Sequence, residues 1–352
     1  MKISYAALHC LSNFSFLRGA AHAEQLVARA SELGYRAIAV TDECSMSGVV
    51  RAHVAAKEHG IKLIVGAEFV VHDAPAIDRL IVLAKTLEGY GDLCELITLV
   101  RSRAKKGEYR LLLDDLAHLC HHLQCLAIVI PHIDHEDCAN STMRVAGYFC
   151  DPGSASCWLG AALDYGPDDK TKMQSLQALA EICRLPVAAC ERILFATREQ
   201  KLLQDVLTAV RLKKPVSELG TELQAHAESY MKPIGHIVRR YPLSMVTQTL
   251  AIESCCKFSL DELRYQYPRE VVPEGETPAG YLRRMTEEGA AGRYPNGVPD
   301  RVRKILEHEL EIISDLMYEA YFLTIYDVVR EARERKILCQ GRGSAEIGRA
   351  HV

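Results

Sequence analysis

Arg36-Ala-Ile-Ala-Val-Thr41, then a polar turn, the helix-period run of residues 49–59, and Leu63-Ile-Val-Gly66 form one strand-helix-strand unit, and the rest of the N-terminal half repeats it. Short apolar runs at residues 3–8, 36–41, 63–66, 80–84, 126–130, 158–162 and 186–189 read as strands, because four to eight apolar residues bounded by turn formers suit a strand buried on both faces. Between them, apolar residues recur at helical spacing over 23–33, 49–59, 90–102, 114–123 and 169–183. This alternation predicts an α/β protein with a parallel sheet closed into a barrel, in preference to a long doubly wound sheet.

After residue 210 the strand signal fades. Helical patterns take over at 243–256, 278–289, 298–316 and 326–336, with a proline- and glycine-punctuated joint from Tyr267 to Pro278. The expected organisation is a barrel over residues 1–210, a helical connector over 211–270 and the start of a second domain over 271–345.

The 352 residues are 49% hydrophobic and 25% charged, a composition that excludes disorder, and the net charge of −4 gives no global attraction to nucleic acid or anionic lipid. Thirteen cysteines without regular spacing fit a reducing compartment better than a disulfide scaffold. The opening Met-Lys-Ile-Ser-Tyr lacks the apolar core of a signal peptide, and no apolar run approaches a membrane span, so a soluble cytoplasmic protein is expected.

Two places carry candidate chemistry. His9, Asp42 and Glu68 each follow a predicted strand, and in a barrel the carboxyl-terminal strand rim is where ligands converge on a hard or borderline divalent cation. The alternative is that Asp42 caps the next helix, Glu68 faces solvent and His9 is a hydrogen-bonded core residue. Near the other end, Ile337-Leu-Cys-Gln-Gly-Arg-Gly-Ser-Ala345 offers a glycine-rich turn closing on a serine, which aims backbone N–H groups and a hydroxyl at a phosphate; Gly341, Arg342, Gly343 and Ser344 are its contact residues. The groups Cys120, His121, His122, Cys125 and His132, His135, Cys138 lack paired zinc-ligand spacing and are read as coincidental. The basic runs at 101–106, 211–214 and 330–336 read as solvated helix faces or ends.

Leu8-His-Cys-Leu-Ser-Asn-Phe-Ser-Phe-Leu-Arg-Gly19, Ala39-Val-Thr-Asp-Glu-Cys44 and Ile64-Val-Gly-Ala-Glu-Phe69 resemble the polymerase and histidinol phosphatase (PHP) domain. Lys257-Phe-Ser-Leu-Asp-Glu-Leu-Arg-Tyr-Gln-Tyr-Pro268, Gly275-Glu-Thr-Pro-Ala279, Tyr318-Glu-Ala-Tyr-Phe-Leu323 and Leu338-Cys-Gln-Gly-Arg-Gly-Ser-Ala345 are similar to the start of the core of bacterial C-family error-prone DNA polymerases. The resemblance implies a PHP-type distorted (β/α) barrel, a mainly helical segment and the truncated start of a polymerase palm domain. It also implies that Gly343 and Ser344 grip the triphosphate of an incoming nucleotide, and that the magnesium-binding catalytic carboxylates come later than this chain. Primer-template DNA, dNTP and other repair or replication proteins are the implied partners.

The resemblance breaks in two places. Leu11 stands where a metal-binding PHP site has its second histidine, arginine occupies the acidic position at Leu17-Arg18, and Glu191-Arg-Ile193 replaces the expected Asp-x-His; a vestigial site without phosphoesterase activity is therefore expected. The final Glu346-Ile-Gly-Arg-Ala-His-Val352 leaves the family pattern and reads as a non-native tail. A metal-dependent phosphoesterase or 3′–5′ exonuclease and a non-catalytic polymerase-docking scaffold are the competing readings.

Overall fold

The computed structural model describes residues 3–119, 124–150, 156–264 and 272–339. The chain divides into two compact units, Met1–Leu263 and Arg264–Val352.

The first unit is built on one sheet of seven strands among the described residues: β1 (Ala6–Cys10), β2 (Ala37–Glu43), β3 (Lys62–Phe69), β4 (Ile77–Ala84), β5 (Cys125–Pro131), β6 (Cys157–Ala161) and β7 (Val187–Ala189). Spatial order follows chain order, and the sheet curls into a half-barrel. The segment after β7 returns to the end of β1, where Leu11 N donates to Ile193 O at 2.9 Å and Ile193 N to His9 O at 2.9 Å. One feature corrects the all-parallel expectation: β4 runs antiparallel to both β3 and β5. Residues 70–76 are too short a link for a crossover, which needs a dozen or more residues, so the chain can only fold back.

Both faces of the sheet are buried, which is why the strands read as continuous apolar runs. The outer face, with Ile38, Val40, Val82, Val129 and Leu159, packs under α1 (Ala23–Glu32), α2 (Val49–His59), α3 (Leu87–Ser102), α4 (Cys138–Phe149) and α5 (Asp169–Cys183). The inner face, with Leu8, Ala39, Ile64, Ile81, Ile128 and Trp158, is narrowed by small residues; a Cβ on Gly66 would lie 2.6 Å from Val82 O. Beyond β7 come α6 (Lys201–Leu212), α7 (Ile234–Arg240) and α8 (Leu243–Cys255). α8 carries Ile252 into the inner core, and its Thr249 Oγ1 accepts a bond from Ala6 N at 3.3 Å.

Helices α4, α6 and α7 have no counterpart in the sequence reading, and the helix expected at 114–123 is instead a 3-10 turn over Leu113–Leu119, with residues 120–123 outside the described ones. The second unit comprises α9 (Pro278–Arg293), α10 (Asp300–Asp315) and α11 (Glu319–Glu334), joined by Tyr281, Leu282, Ile313 and Leu323. Thr277 caps α9, accepting from Gly280 N at 3.2 Å ahead of Pro278.

Candidate functional site: a charged strand rim

Strand order brings the ends of β1, β2 and β3 to one rim beside the start of β4 and the segment after β7. On β1 the register slips between Ala7 and Cys10: Ala7 pairs with Ile38 and Cys10 with Val40, so three steps on β1 oppose two on β2. This bulge re-aims the following side chain, as bulges beside functional rims do. His9 thereby reaches Glu68 on β3, with Nε2 2.5 Å from Glu68 Oε2 and neither residue exposed to solvent.

The other Glu68 oxygen belongs to arginine. Arg192 Nη2 donates to Oε1 at 2.7 Å, and Arg79 Nε lies 3.9 Å from the same atom while its Nη1 holds Asp78 at 2.7 Å. Burial pushes the Glu68 carboxyl up, but the Arg192 charge and the His9 hydrogen bond and charge outweigh it and hold the group well below the usual carboxylate range. Burial also lowers the His9 pKa, against the opposing pull of Glu68. Next along the rim, Arg18 Nε meets Glu43 Oε2 at 2.5 Å, and Tyr109 Oη donates to Glu43 Oε1 at 3.2 Å. The rim ladder has two sections, Arg18 paired with Glu43 and the chain Arg192, Glu68, Arg79 and Asp78.

Asp42 lies elsewhere in this scheme. Its Oδ1 accepts from Ser12 N and Ser15 Oγ and its Oδ2 from Ser12 Oγ, each at 2.7 Å, so it pins the loop after β1 rather than capping α2. Burial raises its pKa, opposed by the Ser15 and Ser12 bonds. His9 and Glu68 are brought together; Asp42 is spent on the two serines. Glu43, Arg79 and Arg192 are rim residues the sequence reading passed over, although the replacement at Glu191-Arg-Ile193 marked the place of Arg192.

A PHP-type metal does not fit these residues. Both Glu68 oxygens and His9 Nε2 are already engaged, and Leu11, at the second-histidine position, packs with Ala20, Leu194 and Phe195. Among the described residues no group of three or more His, Cys, Asp or Glu side chains is arranged to hold a metal ion. At the rim His9 Nδ1, Arg79 Nε and Arg192 Nε are each buried without a hydrogen-bond partner. The cation that would balance Glu68 is the guanidinium of Arg192.

Of the remaining candidates, Cys125 Sγ donates to Gly89 O at 3.2 Å within the core and His135 Nδ1 accepts from Asp137 N at 3.2 Å. Cys120, His121, His122 and the turn Gly341, Arg342, Gly343 and Ser344 lie outside the described residues. No helix among the described residues is long and apolar enough to cross a membrane.

Comparison with known proteins agrees with the fold. Residues 7–143 match the PHP domain family, and residues 280–347 match the family described as bacterial DNA polymerase III alpha NTPase domain. Error-prone DNA polymerases of Methylococcus capsulatus and Pseudomonas aeruginosa are each 48% identical over 342 residues, covering 97% of this chain. The chain spans about a third of the length of these curated relatives, 32% in both cases. A solved amidohydrolase from Chromobacterium violaceum covers 55% of this chain and is itself 88% covered, at 14% identity and a TM-score of 0.42. With a PHP domain match followed by a bacterial DNA polymerase III alpha match, the chain is similar along nearly all of its length to bacterial error-prone DNA polymerases, of which it spans about a third.

Proposed function

We propose that this chain supplies the N-terminal part of an error-prone DNA-directed DNA polymerase, which transfers nucleotides from dNTP to a primer 3′-OH during damage-tolerant synthesis. The observation that carries this reading is the 45–48% identity to such polymerases over 97% of the chain. The barrel is the PHP-like domain of residues 1–210, followed by the connector of 211–270 and the start of the palm at 271–345. Gly341, Arg342, Gly343 and Ser344 cradle the nucleotide phosphates through backbone N–H groups and the serine hydroxyl. Magnesium, held by carboxylates beyond this chain, neutralises charge on the transferring phosphate. The residues present here would not polymerise alone. Primer-template DNA, repair proteins and a bacterial cytoplasm complete the setting.

Sequencing the locus beyond codon 345 is the first test. An open frame with acidic residues in a strand context close downstream supports the reading, whereas a genuine stop after codon 352 overturns it. In the complete polypeptide, Ser344→Ala should raise KM for dNTP more than it lowers kcat.

The competing phosphoesterase reading draws on the PHP match alone. The occupied Glu68 carboxylate and the apolar Leu11 site argue for a structural rim instead. Incubation with manganese and either a labelled single strand or a phosphate monoester should release nothing. Metal-dependent hydrolysis abolished by Asp42→Asn would restore the enzyme reading of the rim.

A further inference from the structure

Helix α6 carries apolar residues on both sides: Leu207 packs on the Leu11, Ala20, Leu194 and Phe195 cluster and Ala209 is buried, yet more of its apolar surface faces solvent. It buries Gln204 and Thr208 against the barrel, with Gln204 Nε2 donating to Arg18 O at 2.8 Å and Thr208 Oγ1 to Gln204 O at 2.9 Å. Facing solvent are Leu202 at 77%, Leu203 at 46%, Val206 at 50% and Val210 at 56% exposure. Single exposed apolar residues are ordinary, but four on neighbouring turns of one helix, in addition to the Leu207 and Ala209 that its packed face already uses, mark a surface built to be covered. The stripe from Leu202 to Val210 is about 12 Å long. At its end stand Arg211, Lys213 and Lys214, while Asp205, the carboxylate within the helix, is bound by Lys201 at 2.7 Å.

We infer that α6 docks an apolar helix flanked by carboxylates, belonging to the part of the polymerase polypeptide that lies beyond this chain in its longer relatives. The inference rests on the functional reading above. Length supports it, since this chain accounts for 32% of each of the two relatives described. Size supports it too: specific dimers bury roughly 1,200–2,000 Å². A stripe of about two turns falls well short of that, yet suffices for a tethered partner at an effective concentration in the millimolar range. The basic end of α6 selects acidic flanks on the occupant.

The test places a thiol at the centre of the stripe. Val206→Cys is made in the 352-residue chain and in the complete polypeptide encoded by the uninterrupted frame, and maleimide labelling at that position is timed by peptide mass spectrometry. Labelling at least tenfold slower in the complete polypeptide, independent of protein concentration and restored by Leu202→Glu with Val210→Glu, is the expected result. Equal rates in the two proteins overturn the proposal. Protection that appears in the 352-residue chain as its concentration rises assigns the face to a second copy and overturns it as well. Primer extension by the complete polypeptide separates the two readings: extension with an unprotected thiol sinks the docking face alone, and absence of extension sinks the polymerase assignment.

Discussion

Replacing Arg192 with methionine tests the rim most directly. The substitution keeps much of the side chain's apolar bulk and removes the charge that faces Glu68, a carboxylate with no exposure to water. Breaking one side of a fully buried pair costs about 3–5 kcal/mol, because the survivor is left charged and uncompensated; here Glu68 is buried but the Arg192 side chain is 30% exposed, which favours the lower end. Arg79, 3.9 Å from Glu68 Oε1, and the bond to His9 recover part of this, so a loss near the lower end, about 3 kcal/mol, is expected. In a unit of this size that corresponds to a fall in Tm of roughly 6–12 °C. The assay is built into the chain: Trp158 on β6, the one tryptophan in the sequence, is 4% exposed and donates to Gln248 Oε1 at 2.9 Å. Its fluorescence therefore reports unfolding of the first unit. Adding Glu68→Gln to Arg192→Met removes both charges and should return about 2 kcal/mol of the loss. A single variant that melts within about 2 °C of the parent, or a double variant as unstable as the single, would show that the guanidinium does not compensate Glu68.

Stability of the first unit should fall on acidification in two stages. Burial lowers the His9 pKa, so its contribution is complete above about pH 6.5 and is lost as pH drops below that. Glu68 is held low in the folded state, so its contribution is complete above about pH 4.3 and disappears as pH falls further. His9→Gln should flatten the first stage, and a Trp158 melting midpoint indifferent to pH between neutrality and strong acid would contradict both assignments. Asp42→Asn keeps one acceptor oxygen and puts an amide NH₂ at the other, so either the Ser12 Oγ bond must reverse or the Ser12 N and Ser15 Oγ donors lose their acceptor. With the charge also gone it should cost about 2 kcal/mol by urea denaturation, more than Ser12→Ala, and the reverse order would mean that the loop is held by other contacts. Gly19→Ala would put a Cβ 2.3 Å from Ser12 O, and overpacking against backbone should cost about 1–3 kcal/mol in the same assay, whereas an unchanged midpoint would show that the loop yields freely.

The strands were legible because a sheet buried on both faces writes itself as apolar runs; each of the seven lies where a run predicts it. The direction of β4 escaped the pattern, since apolarity carries no polarity of the chain and only the short 70–76 link encodes the reversal. Helix α4 opens on Cys-Ala-Asn-Ser-Thr and reads as loop, yet packing of Val145 and Phe149 makes it a helix. α6 hid for the opposite reason, because its apolar residues are split between Leu207 and Ala209 on the core and Leu202, Leu203, Val206 and Val210 in solvent. At the rim, strand ends located His9 and Glu68. The bulge that aims His9 and the chain reversal that hands Asp42 to two serines are tertiary events with no local signature. Arg192 was visible only as a departure from an expected motif.

In the rim ladder the charge opposite Glu68 is covalently part of the polypeptide. A bound ion stabilises a fold in proportion to its availability, through mass action. A guanidinium has no dissociation constant to satisfy, so the barrel should reach its folded state in a metal-starved cell or in a chelating buffer as readily as in a replete one. What is surrendered is adjustability: the supply of divalent metal does not tune the charge opposite Glu68.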